Sequence, residues 1–340
     1  MTKLNTPTRK IVRYTLGVML SITLAYGINW DLAYIMPVFV AKIFIDKPSP
    51  TSHTVIELFA SMIGTVLIAL LVSNGITHYP FILLLLIGLL MFWAYYLFQN
   101  PEWNFFATLL IISTLLIPYL GISHPIAALS LGKGLMMSGV GAVVIFLAMH
   151  ALLPEPSTSK DEQAVTGGRI KQQQVIQVNE SIKALLISFP VIVYFYYFQI
   201  HGALLTMAFI GILSLQITRL KSIKLSVFLL LTNVTGGVLA VVAYELLVIV
   251  PWFPFLIALM TFIVLLFAQN LYSNPEKAAL YASVLSAMLV LFGAAIASEG
   301  KEIDLNVYAR IWQIILASVY MVLVACWLEY RAQQRSIRYC

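Results

Sequence analysis

The sequence predicts an all-α, polytopic membrane protein: 12 transmembrane helices arranged as two parallel six-helix repeats, with both termini cytoplasmic. Three observations predict it. Only 10% of the 340 residues are charged, 61% are hydrophobic and the mean hydropathy is +0.94, whereas soluble domains average about 25% charged. A soluble fold has too little interior to hide that much apolar surface. Apolar stretches long enough for spans then recur along the chain, and an ordered series of local matches joins its first half to its second.

The apolar stretches fall at 12–29, 32–45, 55–73, 80–98, 105–122 and 131–152, then at 182–200, 203–218, 225–250, 254–272, 278–297 and 307–328. Most hold enough residues to cross a hydrocarbon core of roughly 30 Å at about 1.5 Å per residue. Between the two sets lies a segment, 154–181, rich in Ser, Thr, Gln, Gly and charge, which reads as a flexible cytoplasmic linker. The division is therefore a first six-helix repeat over 1–153, the linker, and a second repeat over 182–340. With the N-terminus inside, 17 of the 20 Lys and Arg residues face the cytoplasm; only Lys133, Lys301 and Arg310 fall on the other side. Lys3, Arg9, Lys10 and Arg13 before the first apolar run resemble the start of a signal peptide. More apolar segments follow, so the run reads as the first membrane helix.

The duplication rests on particular residues. Pro80-Phe81 and Asn100-Pro101-Glu102 recur as Pro254-Phe255 and Asn274-Pro275-Glu276, with the same 21-residue separation between prolines. Gly64-Thr65-Val66-Leu67 resembles Gly236-Gly237-Val238-Leu239, and the polar turn Asn29-Trp30-Asp31 matches Gln199-Ile200-His201. Six helices per unit is an even number, so both units enter the membrane in the same direction.

Several function classes are excluded or disfavoured. The net charge of +6 comes from short basic groups beside apolar runs, a topology signal, and no nucleic-acid role follows. Cys326 and Cys340 form no disulfide framework, and the five histidines lack metal-ligand spacing. No metal or cofactor is expected. No ATP-binding signature occurs, and no His, Asp and Glu set has a spacing that suits an enzyme.

The candidate site residues come from four signals. The segments 32–45 and 203–218 give only about 21 and 24 Å of helix and occupy matching places in the two repeats, the pattern that marks a transporter's central site. Pro37 interrupts the first and Gly211 the second; Tyr34 is among the aromatics placed to stack a substrate ring. The alternative is a tight helical hairpin packed without ligand. Lys133 and Arg310, at the starts of the sixth and twelfth helices, make a two-fold cationic ring suited to a carboxylate, or else snorkel separately to the interface. The polar group Thr232, Asn233 and Thr235, with Ser61 and Thr65 as its counterpart, either lines a substrate path or glues helices together. Glu245 is the candidate proton-coupling carboxylate, with a salt-bridged or snorkelling role as the alternative.

The opening also carries a resemblance. Arg13-Tyr14-Thr15-Leu16-Gly17, followed by Trp30-Asp31-Leu32-Ala33-Tyr34-Ile35-Met36-Pro37, resembles the first hairpin of the fusaric acid resistance / aromatic acid exporter superfamily, with Asp31 where Pro is common. The match carries over to Arg13, Trp30, Tyr34 and Pro37. It implies a bacterial inner-membrane exporter of organic, often aromatic, acids that pairs with a periplasmic membrane-fusion adaptor. The cytoplasmic domains of larger members have no counterpart here beyond the linker. The expectation is thus a proton-driven exporter of aromatic carboxylic acids or similar amphipathic compounds. The alternatives are a passive anion channel and a non-transporting scaffold for an adaptor or secretion complex.

Overall fold

The computed structural model describes residues 6–30, 32–47, 49–154, 170–199, 204–217, 223–274 and 277–296, and beyond them Leu316, Val319, Tyr320, Leu323, Val324 and Trp327. Among the described residues the chain is helical, with no strand. In order, the helices are α1 (Thr6–Ile28), α2 (Met36–Asp46), α3 (Ser52–Gly75), α4 (Pro80–Phe98), α5 (Asn104–Ser123) and α6 (Pro125–Leu152). After the linker come α7 (Ile170–Phe198), α8 (Leu204–Ile217), α9 (Ile223–Ile249), α10 (Phe253–Ser273) and α11 (Ala278–Ile296). Among the described residues, eight of these are long and apolar enough to cross a membrane. The chain is therefore a multi-pass helical membrane protein.

Local chemistry sets the helix ends. Pro80 and Pro125 open α4 and α6 at positions where the missing N–H is not needed. The Thr51 hydroxyl caps α3 by accepting from the Thr54 N–H at 3.2 Å. Eleven of the predicted apolar stretches coincide with α1 to α11. The twelfth lies mostly outside the described residues, although the six residues described within it are helical.

Two boundaries correct the expectation. The sixth helix begins at Pro125 rather than near 131, so Lys133 is not at its start but about 12 Å along it. Pro125 nucleates the first turn, and the small and apolar residues after it continue it. The seventh helix begins at Ile170, inside the stretch read as linker. Residues 170–181 hold no Gly or Pro and include four Gln with one Lys and one Glu, which favour helix over coil.

α5 sits at the centre, with 83% of its most apolar window buried, and packs on α3, α4, α6 and α8. The remaining packing recurs in pairs: α3 against α5 and α9 against α11, α4 against α7 and α10 against α1, α8 against α5 and α2 against α11. Small residues permit the closest approaches. On α6, methyl groups added at Gly139 and Gly141 would lie within 3 Å of Met62 and Met36, and one at Gly236 would meet the Ala287 side chain and the Val284 carbonyl at 2.8 Å. Such contacts are how helices gain van der Waals packing where the solvent is itself apolar.

Candidate functional site

The two half-length helices organise the centre. Among the described residues α2 holds 11 and α8 holds 14, about 16 and 21 Å, each less on its own than a hydrocarbon core. Each follows a long helix ended by a residue in the left-handed region: Asn29 after α1 (φ 54°) and Gln199 after α7 (φ 46°). These are the positions that the sequence match pairs.

The turn into α2 is tightly held. Leu32 also lies at positive φ, 61°, a conformation that L-residues with branched side chains adopt only under constraint. The constraint is a set of three hydrogen bonds. The Trp30 indole Nε1 donates to Ser138 Oγ on α6 at 2.9 Å, Ser138 Oγ donates to the Leu32 carbonyl at 3.0 Å, and the Ile35 N–H donates to the same carbonyl at 3.0 Å. A short 3-10 turn, Ala33–Ile35, then leads into α2 with Pro37 in its first turn. Tyr34 and Pro37 are both buried. Tyr34 packs over Gly293 of α11, where an added methyl group would stand 2.8 Å from the tyrosine Cβ. The C-terminal end of α2 is framed by aromatics: Phe44 meets Tyr14, Phe146 and, in a stacked geometry, the buried ring of His150.

α8 is held by different chemistry. Gly211 lets it approach α5, facing Leu115 and Ile111. The Tyr196 hydroxyl donates to the Leu115 carbonyl at 3.0 Å and its ring meets Tyr119 edge-on. Deeper in, the buried Tyr95 hydroxyl of α4 lies 2.7 Å from Ser188 Oγ of α7 and donates to Ser214 Oγ of α8 at 2.8 Å. A buried network of this kind fixes three helices at once, because each hydroxyl has its partner.

The other candidates are dispersed. Ser61 and Thr65 are buried on α3 and bond back to the Glu57 and Ser61 carbonyls, a common way of satisfying hydroxyls inside a helix. Ser113 of α5 reaches the Thr65 carbonyl. Thr232 and Asn233 are buried on α9, where Thr232 lies 3.2 Å from Ser283 of α11. Thr235 is exposed and bonds to the Leu231 carbonyl. The two polar groups thus occupy corresponding seams, α3–α5 and α9–α11, rather than one shared lining. Glu245 is half-buried near the end of α9. Lys133 is exposed on α6, between the buried Gly132 and Gly134; Arg310 lies outside the described residues. Lys42 pairs with Asp46 at 3.0 Å, as their spacing suggests, and stands over the Phe98 ring.

The sequence reading passed over Ser138, Tyr95, Ser188, Ser214 and His150. Each is a polar residue inside an apolar stretch, and that signal was available for all of them. Among the described residues no group of His, Cys, Asp and Glu side chains is placed to hold a metal ion.

Fold and site together define a multi-pass helical membrane protein built around two half-length helices. The family described as "Protein of unknown function (DUF2955)" matches residues 10–149. The chain is thus similar to that family from the first turns of α1 to the last turn of α6. No curated protein and no solved structure matches it.

Proposed function

We propose that the chain is a secondary exporter of organic acids, aromatic carboxylic acids foremost, in a bacterial inner membrane, driven by the proton gradient. One observation carries the reading: two half-length helices in corresponding places, each entered through a left-handed residue and each packed on the fifth helix of the other half. Interrupted or short helices at matched positions are how transporters expose backbone and side-chain groups at mid-membrane. The proposed frame is 12 spans in two parallel six-helix repeats with both termini cytoplasmic. The paired packing, the repeated proline spacing and a family match that ends with α6 support the repeat. The resemblance of residues 13–39 to the aromatic acid exporters supports the substrate class and a periplasmic adaptor as partner.

In this reading Trp30 and Tyr34 give the site an aromatic wall. Lys133 lies five residues before Ser138, about 7.5 Å toward the outer side along α6, and with Arg310 it attracts the carboxylate. Glu245 carries the proton. The protein rearranges no covalent bond and is not an enzyme.

The test is accumulation of labelled aromatic and aliphatic acids in cells with and without the protein, with and without a protonophore. Export predicts that at least one acid is depleted only with the protein, that the protonophore abolishes depletion, and that Glu245→Gln does the same. Depletion that follows the acid's own gradient and ignores both the protonophore and Glu245→Gln overturns coupling and leaves a passive channel. No depletion of any acid, with the adaptor co-expressed, overturns transport altogether.

A further inference from the structure

The paired seams α5–α8 and α11–α2 share a backbone plan but are filled differently. Counting from Asn100 and Asn274, Thr114 corresponds to Met288 and Pro118 to Phe292. Counting from Asn29 and Gln199, Met36 corresponds to Thr206. Met36, Met288 and Phe292 are buried apolar side chains, so the α11–α2 seam has no polar group to satisfy at these positions. Thr114 and Thr206 are equally buried, and among the described residues their hydroxyls have no hydrogen-bond partner. Thr65 and Thr108 show the usual remedy, donating to the carbonyl four residues back. Thr114 does not take it.

A second feature falls on the same turn. Pro118 stands inside α5 and has no N–H, so the Thr114 carbonyl loses the donor that helix geometry would give it. Contacts from α7 and α8 meet α5 around this break. The Tyr196 hydroxyl donates to the Leu115 carbonyl just before Pro118, while its ring meets Tyr119 just after it. Gly211 brings α8 against Leu115 and Ile111. α7, which carries Tyr196, holds the other interior proline among the described helices, Pro190. In the opposite half α11 has no proline, and that of α1, Pro7, stands in its first turn.

Buried polar groups without partners cost free energy, and a helix broken by proline is where the chain can bend to pair them. We infer that α5 is a hinge at Pro118, whose bending carries α8 and the C-terminal part of α7 between two arrangements while α2 and its seam with α11 stay in place. The second arrangement is the one in which the Thr114 and Thr206 hydroxyls find acceptors. The hinge is a property of the packing and serves whatever solute the chain carries.

The experiment is pulsed electron-spin distance measurement on the full chain in lipid nanodiscs, with Cys326→Ser and Cys340→Ser as background. One pair of labels goes on Tyr197→Cys and Ile249→Cys, and a control pair on Ile28→Cys and Ile249→Cys, all exposed positions at helix ends. The expected result is two distance populations for the first pair and one for the control. Pro118→Ala is expected to leave the first pair with a single population. Thr114→Val removes the hydroxyl at nearly constant volume and is expected to shift the balance toward the arrangement of this structure by about ten-fold. If Pro118→Ala does not fold, Thr114→Val and Thr206→Val decide the question. A single population for both pairs overturns the inference, as do two populations for both pairs. A balance that the valine variants leave unchanged, or move the other way, overturns it as well.

Discussion

α2 and α8 reach matching places in the molecule by unlike means. The turn into α2 is fixed by a side chain from outside it: Ser138 of α6 receives the Trp30 N–H and donates to the carbonyl of the strained Leu32. α8 has its anchor within its own length, where Ser214 takes the Tyr95 hydroxyl and Gly211 brings the helix onto α5. The backbone plan is shared, yet the side-chain chemistry is not. What the two have in common is a left-handed residue at the end of the preceding helix and a glycine at the contact between halves. Geometry is therefore the common element, and each half has found its own bonds to hold it.

The sharpest break in that comparison is at the glycines. A methyl group at Gly293 meets the Tyr34 Cβ at 2.8 Å and its ring root Cγ at 3.1 Å, atoms that cannot swing away, whereas at Gly211 it meets the mobile tip of Leu115 at 2.9 Å. Gly293→Ala is expected to destabilise by about 2–3 kcal/mol and Gly211→Ala by less than about 1 kcal/mol. Thermal unfolding in detergent reads the difference, and equal shifts would dissolve the distinction. Next in size is Ser138→Ala, which strands the Trp30 donor and removes a clamp on Leu32, for about 1–2 kcal/mol. Its second readout is proteolysis at the α1–α2 turn, which should quicken in this variant. The smallest effect belongs to Tyr95→Phe. Ser188 and Ser214 keep their own bonds to the Ala184 and Gly211 carbonyls, so the loss is one hydroxyl pairing, about 0.6–1 kcal/mol on membrane scales. A lowered unfolding temperature with unchanged helix content by circular dichroism is the expected signature.

Much of the fold was legible because a bilayer imposes long uniform segments and biased charge, both visible in one dimension. The two half-length helices were legible for the same reason, since their shortness departs from that uniformity. Helix starts were less so. Pro125 and the Lys-Gln stretch after Ile170 begin helices in polar or small residues that hydropathy does not mark. The candidate site was legible only as a catalogue of polar residues. Thr65 and Thr232 carry the same signal in sequence, yet one bonds back onto its own helix and the other reaches across to α11. Which of these happens depends on the rotation of each helix about its axis, and apolar stretches with polar residues on several faces do not fix that rotation.

The exchange of contacts between halves has a consequence for how the molecule is made. α1 rests on α10, α4 on α7, α5 on α8 and α2 on α11, so the first six helices leave the ribosome with four of their faces still uncovered. They wait in the lipid for partners that have not yet been synthesised, and the membrane rather than the protein must solvate those faces in the meantime. A chain ending after α6 would carry the same uncovered faces permanently. Its simplest way to cover them would be a second copy of itself, and joining two such units in one polypeptide removes that search.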